Sequence, residues 1–443
     1  MDAGSPARAP AGTASRPDLV RAIGRWDLTA LVVNGVIGSS IFGMPAALAG
    51  LTGAWSPVTA LLGGLGILAI LLCHAEVASR FQDAGGTYLY AREAFGRGVG
   101  FQAGWLSFWI RVTSMAANLN VFVDYLAQLV PVAGAAAGRA VTMCAVTALV
   151  TALNVVGVRQ GSRTVDAFTV AKLLPLVLLA ALGLPRIRAE VLATQAVAVP
   201  DWTQAVLLLV FAYGGFEAAL IPASEARDPR RDSAFALLVA LAVIASVYAL
   251  VQLAVVGLVP HAASARAPVA AAFAVLMGAG GATFASVAAM TSTYGWTVGA
   301  TLATPRILYS MAEREELPAA LARVHPRFRT PDVAIYAFAA GGLAFGLAGG
   351  FAANATISAI VRLVTYGLVC GSLPVFRRRA GMEAPGFRVP AGAGVAVAGM
   401  GFCAWLLSTR TFTQAWILLA IMAVGWVLWA AAAGGRAGRA AGV

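Results

Sequence analysis

Long apolar stretches recur along the 443-residue chain, and short segments between them hold most of its charged residues. A stretch of about 20 apolar residues can cross the hydrocarbon core of a membrane as a helix. The pattern therefore predicts an all-α membrane protein with about twelve spans. We place them at 27–52, 55–78, 99–130, 139–158, 163–184, 203–228, 233–259, 280–311, 332–349, 353–376, 391–408 and 413–433.

Composition supports the membrane interpretation. Hydrophobic residues make up 60% of the chain, charged residues make up 11%, and the mean hydropathy is +0.82. Soluble proteins carry about 25% charged residues, so too few polar residues remain here to cover a soluble surface. The four cysteines and three histidines are scattered without metal-ligand spacing. We therefore expect no metal and no cofactor.

The basic residues set the expected orientation. A net charge of +12 would suggest nucleic acid in a soluble protein, but these arginines lie in short loops between spans. We assign 23 of the 31 basic residues to cytoplasmic segments and 5 to outer segments. This asymmetry places both termini in the cytoplasm of a bacterial cell, with the chain in the inner membrane. Residues 1–25 lack an apolar core and are expected to form a cytoplasmic tail, not a signal peptide.

Two of the expected spans contain helix-breaking sequences. The first holds three glycines and a proline between Gly35 and Pro45, and the sixth holds Gly214-Gly215 before Glu217. Breaks five spans apart imply two five-helix units of opposite orientation, with a binding site between the broken helices. The alternative is that these glycines allow close helix packing.

Broken helices at membrane depth would leave peptide groups free to bind a solute. Amides near Gly38, Ser39 and Ser40 lie at the positive end of a half-helix expected to begin at Gly43, with Pro45 in its first turn, and they suit a carboxylate. Freed carbonyls of the two breaks suit an ammonium group. Both together predict a small amino acid as substrate. The predicted binding residues are Val36, Ile37, Gly38, Ser39, Ser40, Phe211, Ala212, Tyr213, Gly214 and Gly215.

Four motifs in order resemble the amino acid–polyamine–organocation superfamily over about residues 20–430. In chain order they are Gly38-Ser39-Ser40-Ile41-Phe42, Gly85-Gly86-Thr87-Tyr88-Leu89-Tyr90, Phe211-Ala212-Tyr213-Gly214-Gly215-Phe216-Glu217, and Pro305-Arg306-Ile307-Leu308-Tyr309-Ser310-Met311. In the first motif, Ser40 replaces a glycine of the family. The resemblance implies a LeuT-like 5+5 inverted repeat with broken helices 1 and 6 and two extra helices. It also implies that Phe211 is an aromatic gate over the substrate.

The expected organisation follows from that repeat. The cytoplasmic tail at 1–25 precedes a first five-helix repeat at 26–185 and a second, inverted repeat at 200–378. Helices 11 and 12 occupy 390–433, and a cytoplasmic tail occupies 434–443.

An ionisable residue within a span indicates a structural or functional role, because insertion of a charge into a membrane costs about 3 kcal/mol or more. Lys172 is the sole lysine of the chain. Proton-coupled members of the superfamily have a lysine here, so we predict that Lys172 couples transport to protons. We expect it to contact backbone near Gly38 and hydroxyls of Thr291, Ser292 or Thr293. The alternative is a lysine that snorkels to the cytoplasmic surface.

Three other charges support the predicted site. Glu217 is expected to stabilise the second break, or else to bind substrate. Arg111 and Arg362 pair with Glu217 or Asp124 in one interpretation; in the other, Arg111 receives an acidic substrate side chain.

The resulting functional prediction is proton-coupled amino acid symport by alternating access. A proton-independent amino acid exchanger is the alternative. A major facilitator is disfavoured because residues 79–98 lack its acidic-glycine-basic motif, and an integral-membrane enzyme is disfavoured because no polar catalytic cluster is present. The sequence identifies neither the amino acid nor whether the protein is a monomer or a homodimer, and it predicts no nucleic-acid partner.

Overall fold

The computed structural model describes residues 24–81, 86–157, 162–219, 228–382 and 384–441. Within these ranges the secondary structure is entirely helical, with no strand. The α-helices are α1 (Arg25–Val36), α2 (Ser40–Thr52), α3 (Ser56–Ala78), α4 (Gly86–Phe95), α5 (Arg97–Leu129), α6 (Ala136–Val156), α7 (Ser162–Gly183), α8 (Ala189–Ala193), α9 (Trp202–Ala212), α10 (Phe216–Ala219), α11 (Pro229–Leu258), α12 (Pro268–Ala303), α13 (Pro305–Glu313), α14 (Asp332–Ala348), α15 (Phe351–Arg378), α16 (Gly392–Ser408) and α17 (Phe412–Ala441).

Six helical segments of the described chain are long and apolar enough to cross a membrane. They are Ser40–Ala78, Ala136–Val156, Arg231–Leu258, Pro268–Glu313, Phe351–Arg378 and Phe412–Ala432. Three shorter apolar helices are Trp202–Ala212, Asp332–Ala348 and Gly392–Ser408. Helix α5 has 33 residues and is long enough as well, but it carries charged and amide side chains toward the protein interior.

The first predicted span is two helices. Helix α1 ends at Val36 because Ile37 is extended, with φ −73° and ψ 96°, and α2 begins at Ser40. The prediction that the second half-helix begins at Gly43 is wrong. The carbonyl of Ser39 accepts hydrogen bonds from the N–H groups of Phe42 and Gly43 at 3.2 and 2.9 Å, so the helix starts three residues earlier and Pro45 lies beyond its first turn.

The sixth predicted span is also broken. Helix α9 ends at Ala212, a turn follows over 213–215, and α10 begins at Phe216. Gly215 has φ +118°, in the region that glycine adopts without the steric cost of a Cβ atom. The remainder of this predicted span, at 220–227, lies outside the described residues.

Helix α5 organises the packing around both breaks. It contacts α12, α14 and α15, while α11 contacts α1 and α3. The two broken helices pack against each other, α2 against α9 and α1 against α10, and α15 lies against α9. The breaks are thus held inside a ring of longer helices, where neighbouring protein can satisfy backbone groups that lipid cannot.

Candidate functional site

The two helix breaks meet through their backbones. A Cβ atom placed on Gly215 would lie 2.5 Å from the carbonyl oxygen of Gly35, and one on Gly35 would lie 3.3 Å from the carbonyl oxygen of Gly215. Side chains at these two positions would force the broken segments apart. Glycine at both positions is therefore what lets the irregular backbone of one span touch that of the other.

Tyr248 of α11 joins the two breaks by hydrogen bonding. Its hydroxyl lies 2.8 Å from the Oγ of Ser40, 2.9 Å from the carbonyl oxygen of Ala212 and 3.5 Å from that of Val36. The expectation that the carbonyls of the two breaks are free is therefore wrong for Ala212, because the Tyr248 hydroxyl donates its single proton to that carbonyl. The serine that departs from the family motif bonds to the same hydroxyl, so Ser40 has a structural partner that glycine could not bind.

A cavity with about 350 Å³ of space outside protein atoms lies at the breaks. Seven of the predicted binding residues line this cavity, and Ile37, Ala212 and Tyr213 do not. The described residues that line it are Gly35, Val36, Gly38, Ser39, Ser40, Arg111, Ser114, Asn118, Phe211, Gly214, Gly215, Trp296 and Arg362. We call this space the central cavity.

Three buried polar atoms of the described residues that line the central cavity have no hydrogen-bond partner. They are the Oγ of Ser39, the Oδ1 of Asn118 and the Nε of Arg362, on residues that are 1%, 2% and 4% exposed. Ser39 also precedes the first turn of α2, where N–H groups lack acceptors within the helix. Buried polar groups are nearly always satisfied in proteins. Their position here indicates that a polar ligand completes the hydrogen bonding.

Glu217 stabilises the second break and holds an arginine beside the cavity. Its Oε2 accepts hydrogen bonds from the N–H of Gly215 at 2.9 Å and from the hydroxyl of Tyr366 at 3.3 Å. Its Oε1 is paired with the guanidinium of Arg362 from α15. A Cβ atom on Gly214 would lie 2.5 Å from that guanidinium, so a glycine is needed where the arginine crosses the break.

Arg111 of α5 takes a different position. It lines the central cavity and also a second cavity, of about 590 Å³, lined by Gly86, Thr87, Tyr88, Gly104, Ser107, Ile110, Glu217, Ile307 and Thr365. Neither arginine pairs with Asp124, whose Oδ1 instead accepts from Arg139 at 2.5 Å. Of the two pairings that the sequence left open, the one with Glu217 is realised for Arg362, and Arg111 lies within electrostatic range of Glu217 without an ion pair.

Lys172 lies near the first break but not against its predicted partners. Its Nζ donates to the Oδ1 of Asn34 in α1 at 3.1 Å, and the residue is 4% exposed. Burial argues against a lysine that snorkels to the surface. Sequence analysis gave Asn34 no role, although it lies one turn before Gly38.

The three hydroxyl residues predicted near Lys172 have other surroundings. Thr291 and Thr293 donate to carbonyls of their own helix, Val287 for the first and Ala289 for the second, each at 2.8 Å. The Oγ of Ser292 is buried without a hydrogen-bond partner. Serine and threonine in helices commonly bond back to the preceding turn, and the hydrogen bond of Lys172 goes to Asn34 and to none of these three hydroxyls.

Aromatic side chains cover parts of the central cavity. Phe211, the predicted gate, contacts Phe351 with ring centroids 5.9 Å apart. Trp296 of α12 approaches Gly38, where an added Cβ atom would lie 3.3 Å from its indole ring. The sequence carries no motif that marks Trp296, Ser114, Tyr248 or Asn118 as residues of this site. Ser114 and Asn118 lie on α5, Tyr248 lies on α11, and Trp296 lies on α12 after the kink at Gly278.

The arrangement offers binding groups and no recognisable catalytic set. Free helical N–H groups and Ser39 suit a carboxylate, while Asn118 offers an acceptor for an ammonium group. Among the described side chains, no group of three histidines, cysteines, aspartates or glutamates lies close enough to hold a metal ion. The site is suited to bind and release a small charged solute.

Comparisons with known proteins agree with this arrangement. The family model described as amino acid permease matches residues 23–433. The serine/threonine exchanger SteT of Bacillus subtilis is 27% identical over 84% of this chain and 87% of its own length. The methylthioribose transporter of the same organism is 26% identical over 88% of each chain. An uncharacterised transporter of Mycobacterium tuberculosis is 31% identical over 71% of each chain.

The matches account for the apolar helices, for the cavity between broken spans and for the lack of catalytic groups among the described residues. The protein is a multi-pass membrane transporter and not an enzyme. The chain belongs to the amino acid permease family.

Proposed function

We propose that this protein is a secondary active transporter that carries amino acids across the bacterial inner membrane by alternating access. The observation that carries the proposal is the central cavity between two broken helices, lined by buried polar atoms that lack partners. Family membership alone does not determine the substrate, because one relative is named for methylthioribose and another for serine and threonine.

The proposed fold is a LeuT-like 5+5 inverted repeat with twelve spans. The first repeat covers 26–185, the second covers 200–378, and two further helices occupy 390–433. The tails at 1–25 and 434–443 are placed in the cytoplasm. Support comes from the two helix breaks, which lie five predicted spans apart and contact each other. We propose a monomer or a homodimer.

The proposed binding mode uses both breaks. The substrate carboxylate binds the N–H groups at 38–40 and the hydroxyl of Ser39, at the positive end of α2. The ammonium group binds the Oδ1 of Asn118 and the carbonyl of Val36, both of which line the central cavity. Phe211 closes the cavity as a gate.

Proton-coupled symport is the proposed coupling mode. Lys172 is buried, and its hydrogen bond to Asn34 ties α7 to α1 just before the first break. A change in the charge of a buried amine changes its interaction with surrounding dipoles strongly. Protonation at Lys172 can therefore alter the position of α1 and with it the cavity.

Exchange without protons is the second candidate function. It is favoured by the similarity to a serine/threonine exchanger over most of both chains. In that case Lys172 acts as a fixed charge that positions α1, and internal amino acid drives uptake.

Transport in liposomes separates the two candidates. Symport predicts uphill uptake driven by an inward proton gradient into vesicles without internal amino acid, and Lys172→Ala should lower that uptake at least about tenfold because the buried charge is lost. Arg188→Gln, which removes an exposed positive charge, is the matched control and should leave uptake unchanged. Uptake that needs internal amino acid and ignores the proton gradient would reject symport in favour of exchange. Absence of any amino acid flux would reject the proposed function.

A further inference from the structure

Among the described residues, the lining of the central cavity includes two arginines and no acidic residue. Arg111 and Arg362 both reach it, whereas Glu217 lies beside it. Since charge within a membrane protein is costly unless it is compensated, the partner of each arginine decides what the cavity can bind.

Glu217 forms its ion pair with Arg362 and not with Arg111. One carboxylate oxygen is paired with Arg362, and the other accepts from Gly215 and Tyr366. Arg111 has no side-chain hydrogen bond and no ion pair with any residue in the described part of the chain. Arg111 therefore lines both cavities without an ion pair, and its nearest negative charge, Glu217, is already paired with Arg362.

The backbone of an amino acid cannot supply that partner. Its carboxylate and ammonium groups cancel in charge, and both already match groups at the helix breaks. An additional negative charge on the substrate would neutralise Arg111, and guanidinium groups bind carboxylates in a bidentate geometry.

The position of Arg111 on α5 fits a side-chain site. Arg111, Ser114 and Asn118 lie three and four residues apart, so they share one face of the helix, and all three line the central cavity. Arg111 and Asn118 are about 10 Å apart along the helix axis. That separation leaves room for a few carbon atoms between an ammonium group at Asn118 and an anionic group at Arg111.

We propose that the transported amino acid has an anionic side chain, and that Arg111 is the residue that selects it. The inference rests on the proposed function and names its substrate class. Because Arg111 also lines the second cavity, it can stay in contact with the anionic group as the substrate leaves the central cavity.

Competition in proteoliposomes tests the inference with pairs of matched ligands. Glutamate and glutamine, or aspartate and asparagine, have nearly the same shape and differ in charge. The wild-type protein should prefer the acid over its amide by at least about tenfold in half-inhibitory concentration, and Arg111→Gln should reduce that preference to about threefold or less. Arg111→Lys keeps the charge and should retain part of the preference. Arg188→Gln should retain all of it.

Each outcome has a defined meaning. If the wild-type protein transports neutral amino acids and ignores glutamate and aspartate, the inference is overturned while the proposed function stands. If no amino acid is transported, the proposed function itself fails. A variant that does not fold leaves the wild-type comparison of acid and amide, which decides the inference without any substitution.

Discussion

Two clusters in this protein each combine one glutamate with two arginines, and they differ in how the arginines are used. At the end of α3, Glu76 is fully buried and binds both Arg80 and Arg377. The N–H of Val389 donates to the same carboxylate at 2.8 Å. At the second helix break, Glu217 binds Arg362 alone and leaves Arg111 facing the cavities.

The difference indicates different roles for clusters of the same composition. The Glu76 cluster connects α3 to α15 and to the segment after α15. Its carboxylate accepts hydrogen bonds from Arg80, Arg377 and the N–H of Val389. The Glu217 cluster ties α15 to the break and keeps one cation available for a ligand. The contacts of each arginine, and not the number of charges, distinguish a structural cluster from a binding site.

The largest expected effect on stability is at the Glu76 cluster. Glu76→Gln removes the charge that holds Arg80 and Arg377, and we expect it to lower the free energy of unfolding by about 5 kcal/mol because two arginines lose their buried partner. Equilibrium unfolding in mixed micelles measures this change in the free energy of unfolding. Glu93→Gln is the control, since its pair with Arg379 is 3.7 Å long and exposed, and it should cost less than about 1 kcal/mol. Equal effects of the two substitutions would contradict the structural role of Glu76.

The next largest effect on stability distinguishes the two arginines of the Glu217 cluster. Arg362→Gln leaves Glu217 buried without its ion pair and should cost about 3 kcal/mol of unfolding free energy. Arg111→Gln removes a charge that has no ion pair and should change stability by less than about 1 kcal/mol. Thermal unfolding of both variants in the same detergent provides the comparison. A loss of stability in Arg111→Gln as large as that in Arg362→Gln would show that Arg111 is structural.

A smaller effect is expected where Tyr248 joins the breaks. Tyr248→Phe keeps the packing and removes the hydroxyl, so the cost should be about 1–2 kcal/mol from lost hydrogen bonds. Ser40→Gly restores the glycine of the family motif and loses one of those bonds, so it should cost about 1 kcal/mol. The double variant should cost less than the sum, because both substitutions remove the same Ser40–Tyr248 bond. Strict additivity would mean that this bond contributes nothing.

The breaks were predictable from sequence because glycine and proline report on the backbone directly. The segment from Gly35 to Pro45 predicts an interrupted span, and the structure interrupts it at 37–39. The exact start of α2 was not predictable, since the Ser39 carbonyl accepts the hydrogen bonds that begin the helix and Pro45 lies inside it. Boundaries depend on such local hydrogen bonds, which composition does not specify.

The partners of the charged residues were less predictable. Lys172 was identified as unusual because it is the sole lysine of the chain, yet its hydrogen bond goes to Asn34, which is 138 positions away in sequence. Tyr248 and Trp296 are ordinary aromatic residues within apolar helices until the fold brings them to the breaks. Side chains from helices that are distant in sequence come into contact through packing. A local sequence pattern does not predict such contacts.

The account rests on an amino acid occupying the central cavity between the two breaks. An experimental density map of the protein, with the amino acid that stabilises it most against heat, tests this directly. The account predicts density for the carboxylate at residues 38–40, with helices interrupted at 37–39 and 213–215. Continuous helices through both segments, or ligand density away from the central cavity, would contradict it.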